Sequence, residues 1–153
     1  MFNRLKNCIF LVVLASFSCF SQEFTQNKED TSISFKVRNF GFFVDGVFTD
    51  YTIASNFNAV NLEESFFNLE IKVNSLSTES ESRDKHLLKP DFFNVEKYPV
   101  IVFKSQKIKK VNKSSFLLIG FLTLKGIKKE MQIPIKIIKT ESELKIKGEF
   151  LIN

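Results

Sequence analysis

This 153-residue sequence predicts an all-β domain: an antiparallel up-and-down barrel closed at one mouth by a short helix. Three observations predict it. Apolar residues recur with period two along most of the chain, as in Ile33, Phe35 and Val37 against Ser34, Lys36 and Arg38. Turn residues separate the alternating runs, most sharply at Lys125-Gly126. Helix signals appear in one place, after Ser82, and Pro90 ends them at or before Lys89. With 44% hydrophobic residues, a chain of this length can build one core.

Residues 1–21 form a separate unit. Arg4 and Lys6 precede an apolar run of about 13 residues from Cys8 to Phe20, with small residues at Ser18, Cys19 and Ser21. The run falls short of the ~20 residues a spanning helix needs, so a signal peptide cut after Ser21 is the expectation. Lipidation at Cys19 is the lesser alternative, because the usual leucine three positions earlier is missing. Both cysteines, Cys8 and Cys19, lie in this segment, so a chain cut there has no thiol chemistry. Residues 22–30 are polar apart from Phe24 and read as a loose lead-in to the domain at 31–153.

The first strand runs from Thr31 and breaks at Asn39-Phe40-Gly41. A long, bent strand follows through Val47, Phe48, Tyr51, Ile53 and Phe57, with a bulge expected near Gly46. Phe67, Leu69, Ile71 and Val73 alternate with Asn68, Glu70, Lys72 and Asn74, and residues 75–81 read as a polar loop. The densest stretch is 82–105: Ser82 as N-cap, then Arg83, Asp84, His86, Leu87-Leu88, Asp91-Phe92-Phe93 and Tyr98-Pro99. It reads as the cap that holds the chain between two strands.

Pro99 can open the next strand, in which Ile101 and Phe103 face opposite to Val102 and Lys104. Residues 115–125 are apolar on both faces, which predicts a strand covered on both sides. Met131, Ile133, Ile135 and Ile137 alternate around Pro134, a mark of a bulge or an edge. Leu144, Ile146, Phe150 and Ile152 face inward in the last strand, giving about seven strands in all.

The interior is rich in aromatic mass, with 19 Phe and no Trp. Each buried Phe removes roughly 150–250 Å² from water, so such residues could fill the barrel completely. A barrel of about eight strands lies at the size where the interior is either packed or holds one small ligand, and composition leaves the two even. The formal charge of +5 falls to +3 without Arg4 and Lys6. Lysines placed singly or in pairs at strand spacing suit a solvated sheet face and argue against nucleic acid, while a weak attraction to anionic membrane surfaces stays open.

The pattern Ile33-x-Phe35-x-Val37, Gly41, Gly46-x-Phe48, Ser75-x-Ser77-Thr78, Arg83-Asp84-x-His86-Leu87, Asp91-Phe92-Phe93, Tyr98-Pro99, Phe103-Lys104-Ser105 and Gly120-x-Leu122-Thr123-x-x-Gly126 resembles the YceI-like family. The resemblance runs from about Thr31 to Asn153. It implies an exported bacterial protein with an extended, lipocalin-like antiparallel barrel and an internal channel for an amphipathic lipid: a polyisoprenoid, an isoprenoid quinone or a fatty acid derivative. Two departures stand out. Asn39 occupies a position where many members carry histidine, and members usually continue past the point matching Asn153 with a segment supplying the last strand. Closure of the barrel here, or an exposed edge that invites a partner such as a second copy, is thereby left open.

The candidate channel residues are Phe35, Val37, Phe48, Phe67, Leu69, Ile71, Phe92, Phe93, Phe103, Leu118, Leu122, Ile133 and Ile135, with plain core as the alternative for each. Asn39, Arg83, Asp84 and His86 are candidates for head-group or cap contacts. Catalysis is not expected: His86 is the only histidine, it lacks companion ligands for a metal, and no nucleophile stands at a recognisable spacing. No cofactor is expected beyond a bound lipid. The leading function is lipid transport, storage or sequestration. A quinone carrier serving a membrane redox or stress partner, a hydrolase using Asp84 or His86, and a filled interaction domain stand behind it.

Overall fold

Nine strands make two antiparallel sheets in a computed structural model that describes residues 31–39, 42–140 and 143–152. The expected leader and lead-in lie outside these residues, as do Phe40 and Gly41 and the side chains of Arg38, Asn39 and Phe42. The smaller sheet has the order β1 (Ile33–Asn39), β2 (Phe42–Phe48), β5 (Leu76–Ser77). The larger is a meander of β3 (Tyr51–Ser55), β4 (Phe67–Lys72), β6 (Val100–Lys110), β7 (Ser115–Leu124), β8 (Ile127–Lys139) and β9 (Leu144–Gly148). It curls into a lipocalin-like half-barrel, and the fold is all-β and antiparallel as the sequence predicts. Among the described residues the one α-helix is α1 (Glu81–Leu87).

The strand count exceeds the expected seven for two local reasons. The long strand through Gly46 is bent, but the bend falls at Thr49 and Asp50, between β2 and β3. There the partner chain turns as well, through a short 3-10 helix at Val73–Ser75 that separates β4 from β5. Backbone bonds from Thr49 N to Ser75 O (3.2 Å) and from Lys72 N to Asp50 O (2.9 Å) hold the corner. Two strands thus leave one sheet for the other side by side.

Gly46 lies inside β2 opposite Phe35, with continuous pairing through it, so the expected bulge is elsewhere. The register shift lies between Ser105 and Lys107 in β6, facing Gly120 of β7. A Cβ on Gly120 would stand 2.3 Å from the Lys104 carbonyl oxygen, so glycine is what lets the bulged backbone come close. Where β4 runs out of ladder, Ser105 Oγ accepts a bond from Phe67 N at 2.8 Å.

Lys125 and Gly126 both have positive φ (50° and 75°), and Leu124 pairs with Ile127 across them. A two-residue turn of this kind matches the twist of its strands, as the sequence predicts. At the far side of β8 the pairing with β9 covers Ile135 to Lys139 and stops at Ile135↔Gly148, one step before Pro134. Proline has no backbone N–H to extend a ladder, so the first half of β8 is an edge among the described residues. The chain leaves the sheet there, which is why Phe150 and Ile152, expected to face inward, are 42% and 51% exposed.

The inward faces make one apolar cluster that joins both sheets, from Phe48 and Leu76 to Phe103, Leu118 and Ile135. The outer face of β7 is less covered than its sequence predicts. Phe116, Leu118 and Leu122 are buried on the inner side, while Leu117, Ile119 and Phe121 are half-exposed on the outer. They lie among lysine neighbours of β6 and β8, whose apolar stems cover part of them.

Candidate functional site

The site is a wall of apolar side chains with a closure at each end. At one end the cap is organised by Thr78, which is 5% exposed. Its backbone N–H (2.9 Å) and hydroxyl both donate to Asp84 Oδ1. Arg83 Nε donates to the Thr78 hydroxyl at 2.7 Å, and the guanidinium also donates to the Thr78 carbonyl. Arg83 and Asp84 therefore meet at Thr78, tying the first turns of α1 to the end of β5. The N-cap is Ser80, two residues earlier than the sequence predicts, and Ser82 stands in the first turn.

After Leu87, 5% exposed, the chain winds back on itself through Phe93 N to Leu87 O (3.0 Å) and Val95 N to Leu88 O (3.1 Å). This aims Phe93 at the small sheet, where its ring meets Phe35 and Phe48 edge-on at 6.0 Å each. Phe92 turns to His86, ring centres 4.8 Å apart, and the His86 side chain is exposed. The far end of the cap is pinned to the β7–β8 turn. Lys125 Nζ donates to Pro90 O at 2.9 Å, and Tyr98 packs on Gly126, where a Cβ would come within 2.6 Å of its ring.

The other end is closed by the loop 56–66. Its Ser65 hydroxyl, 7% exposed, accepts from Asn58 N (2.8 Å) and donates to Asn61 O (2.8 Å). The folded loop drives Phe57 onto Phe116, edge to face at 5.0 Å. Phe116 begins β7 and Lys125 follows its end, so the two closures stand a strand length apart, about 30 Å at ~3.3 Å per residue.

Between them lie most of the residues the sequence singles out. Phe48, Ile71, Phe103, Leu118, Leu122, Ile133 and Ile135 are in the buried cluster, and Phe35, Phe67, Leu69, Phe92 and Phe93 pack against it half-buried. Val37 is half-exposed on the β1–β2 hairpin outside that cluster, and Asn39 ends β1 opposite Phe42. Arg83, Asp84 and His86 are at the cap. Phe57 and Phe116 read as apolar strand residues in the sequence but are not among the candidate channel residues; Phe57 in fact lies beyond the end of β3 at Ser55, in the loop. Ser65 and the central role of Thr78 were missed, although Thr78 is the last residue of the Ser75-x-Ser77-Thr78 motif.

Two of the hollows among the described residues open to solvent. One of about 490 Å³ lies on the outer side of α1 against Glu81, Lys85, His86 and Lys89. The other, about 410 Å³, is at the far rim between Val111, Phe116, Ile135 and Gly148. Neither lies between the sheets. Among the described residues no group of His, Cys, Asp and Glu is placed to hold a metal ion, and no helix is long and apolar enough to cross a membrane.

A sequence model of the YceI-like domain matches residues 24–153. The chain belongs to the YceI-like family. Among its relatives, a UPF0312 protein of Photorhabdus laumondii is 38% identical over 98 residues, 63% of this chain and 50% of that one. One from Pectobacterium carotovorum is 32% identical over 117 residues, 76% of this chain and 60% of that one. The chain thus spans about half the length of the curated relatives it matches, from 50% to 60% in these two. Among solved structures, the YceI protein of Campylobacter jejuni is 31% identical with a TM-score of 0.61, covering 82% of this chain and 76% of that one. BcnA of Burkholderia cenocepacia gives 0.76 at 17% identity over 80% and 77% of the two chains, a likeness of fold.

Proposed function

We propose that this YceI-like protein is an exported, non-catalytic binder that holds the chain of an amphipathic lipid along the inner wall of its half-barrel. The observation that carries the reading is the continuity of that wall. From Phe93 to Phe116 the inward side chains form one apolar cluster, and the buried polar residues, Ser65 and Thr78, spend their hydroxyls on the loop and the cap. An apolar chain meets no unpaired polar group along such a wall, and each CH₂ taken out of water contributes roughly 0.8 kcal/mol. Half-buried Phe35, Phe67 and Leu69 offer the chain a place to enter. A polyisoprenoid, an isoprenoid quinone or a fatty acid derivative fits this chemistry, and the polar end would emerge near Arg83 and His86.

The close packing of the inner faces favours a second reading, a filled barrel acting as an interaction domain. Native mass spectrometry of the exported protein, followed by organic extraction, separates them. A stoichiometric apolar ligand is the expected result. A clean apo mass, with no uptake of added isoprenoid or fatty acyl compounds, overturns the carrier reading.

A further inference from the structure

The outward face of β6, β7 and β8 combines two properties that a merely solvated surface does not need together. Its centre is an apolar stripe along β7, with lysines beside it along β6 and, on the β8 side, Lys136 and Lys128 at its two ends. The register makes the rows explicit: Lys109–Leu117–Pro134, Lys107–Ile119–Gln132, and Lys104–Phe121–Glu130. Thr123 then stands between Val102 and Lys128, and the Lys128 ammonium lies 4.3 Å from the centre of the Phe121 ring. Lys136 and Lys147 face each other where β9 continues the surface. Directly paired residues share a face, so these side chains all point away from the inner wall.

We infer that this face docks on an anionic phospholipid surface. The charge is complementary and predominantly positive. Glu130 is the acid in the rows above, and Glu70, opposite Val102 on β4, and Glu143, beside β9, are each matched by a lysine, Lys72 at 2.8 Å and Lys145 at 3.3 Å, whereas Asp45, Asp50, Glu63, Glu64, Glu81 and Asp91 stand on other elements and loops. The cations are lysines throughout. A lysine is a hydrated point charge on a flexible stem and suits a fluid layer of phosphates, whereas a fixed bidentate partner favours arginine. Leu117, Ile119 and Phe121 lie in a row that the lysine stems only partly cover, so they can reach the interfacial region while the ammonium groups spread to the head groups. Docked in this way, the half-barrel lies with its outer wall on the bilayer and the open edge of β8 beside it. The inference stands on the outer face and does not depend on what the inner wall holds.

The test is flotation of the full protein with vesicles of phosphatidylcholine alone and of a one-to-one mixture with phosphatidylglycerol. The protein is expected to float with the mixture at low salt only. Combining Lys104→Gln, Lys107→Gln, Lys109→Gln and Lys128→Gln should weaken binding on the order of a thousandfold, since each surface lysine acts nearly independently. A control that neutralises Lys85, Lys89, Lys97 and Lys113 removes the same charge from the cap and the β6–β7 turn, and should retain most of the binding. Phe121→Gln should weaken it about tenfold without changing its salt dependence. All these positions are exposed or half-exposed, and circular dichroism melting verifies the fold of each variant. Failure of the unmodified protein to float, or equal losses in the two lysine sets, overturns the inference. So does face-dependent binding to an acidic protein without any to vesicles.

Discussion

The ring of Phe35 occupies the space where a side chain on its cross-strand partner Gly46 would stand: a Cβ there would lie 2.3 Å from Phe35 Cζ. The same ring touches Phe48 at 5.0 Å and Phe93 at 6.0 Å, so a glycine in β2 lets the small sheet and the cap share one aromatic contact. Gly46→Ala should therefore destabilise the protein by about 1–3 kcal/mol, the usual cost of overpacking, although alanine is ordinarily better than glycine in a strand. Urea unfolding followed by circular dichroism measures this, and a neutral or stabilising result would show that the ring moves aside freely.

Thr78→Val keeps the shape of the side chain and removes the hydroxyl that Asp84 and Arg83 share. Leaving those groups short of a partner costs about 1–3 kcal/mol. The loss should appear locally: amide exchange in α1 and residues 88–95 quickens, while the β6–β7–β8 ladders keep their protection.

Gly126 needs glycine twice, for its φ of 75° and for the Tyr98 ring beside it. Gly126→Asn tolerates the φ and keeps the clash. It should lower the melting temperature in the native background and cost much less in Tyr98→Ala, a coupling that a double-mutant cycle reads directly.

Lys72 lies on the outer face of β4, and its ammonium is held above the ordinary value of 10.5 chiefly by its hydrogen bond with Glu70, 2.8 Å away, and by that carboxylate's charge. A raised folded value means the contribution is present in full below the unfolded pKa and fades as pH climbs through the folded one. Both groups are exposed, so Glu70→Gln should change melting little at neutral pH, and the difference from the parent protein should vanish in strong alkali.

Alternation located β1, β4, β6 and β8 because each has one face on the core, and burial then imposes period two on residues such as Ile101 and Phe103 or Ile133 and Ile135, whereas β7 was legible as a run apolar on both faces. The turn at Lys125-Gly126 was legible because its backbone conformation demands a particular residue. Three features were not. The corner at Thr49 and Asp50 is made by backbone bonds to Ser75 and Lys72, which any residues could supply. Gly46 and Gly120 look like turn glycines, and only the contact across the sheet reveals that they make room for a ring and for a bulge. Phe57 continues the apolar pattern of the long bent strand, yet it reaches the core from the loop after β3. The cap motif was visible as a dense run of special residues, yet its centre, Thr78, lies outside that run in a stretch that reads as a loop.

The hairpin of β1 and β2 is laddered to the rest of the fold by only two residue pairs, Val47↔Ser77 and Phe48↔Leu76 with β5, beside the core packing of Ile33, Phe35 and Phe48, the aromatic contact with Phe93 and the bond that the Tyr51 hydroxyl donates to the Thr31 carbonyl. β7, by contrast, is laddered along nearly its whole length on both sides. Conformational stability is accordingly graded across the molecule. Releasing the hairpin as a unit breaks far fewer interactions than any cut through the meander, and such a partial unfolding lies much nearer in free energy to the native state than global unfolding does. Amide protons of β1 should exchange through that cheap excursion while those of β7 wait for the whole chain to open. The excursion lifts Phe35 and Phe48 off Phe93 and bares the inner wall beneath, so the hairpin is itself a flap over that wall.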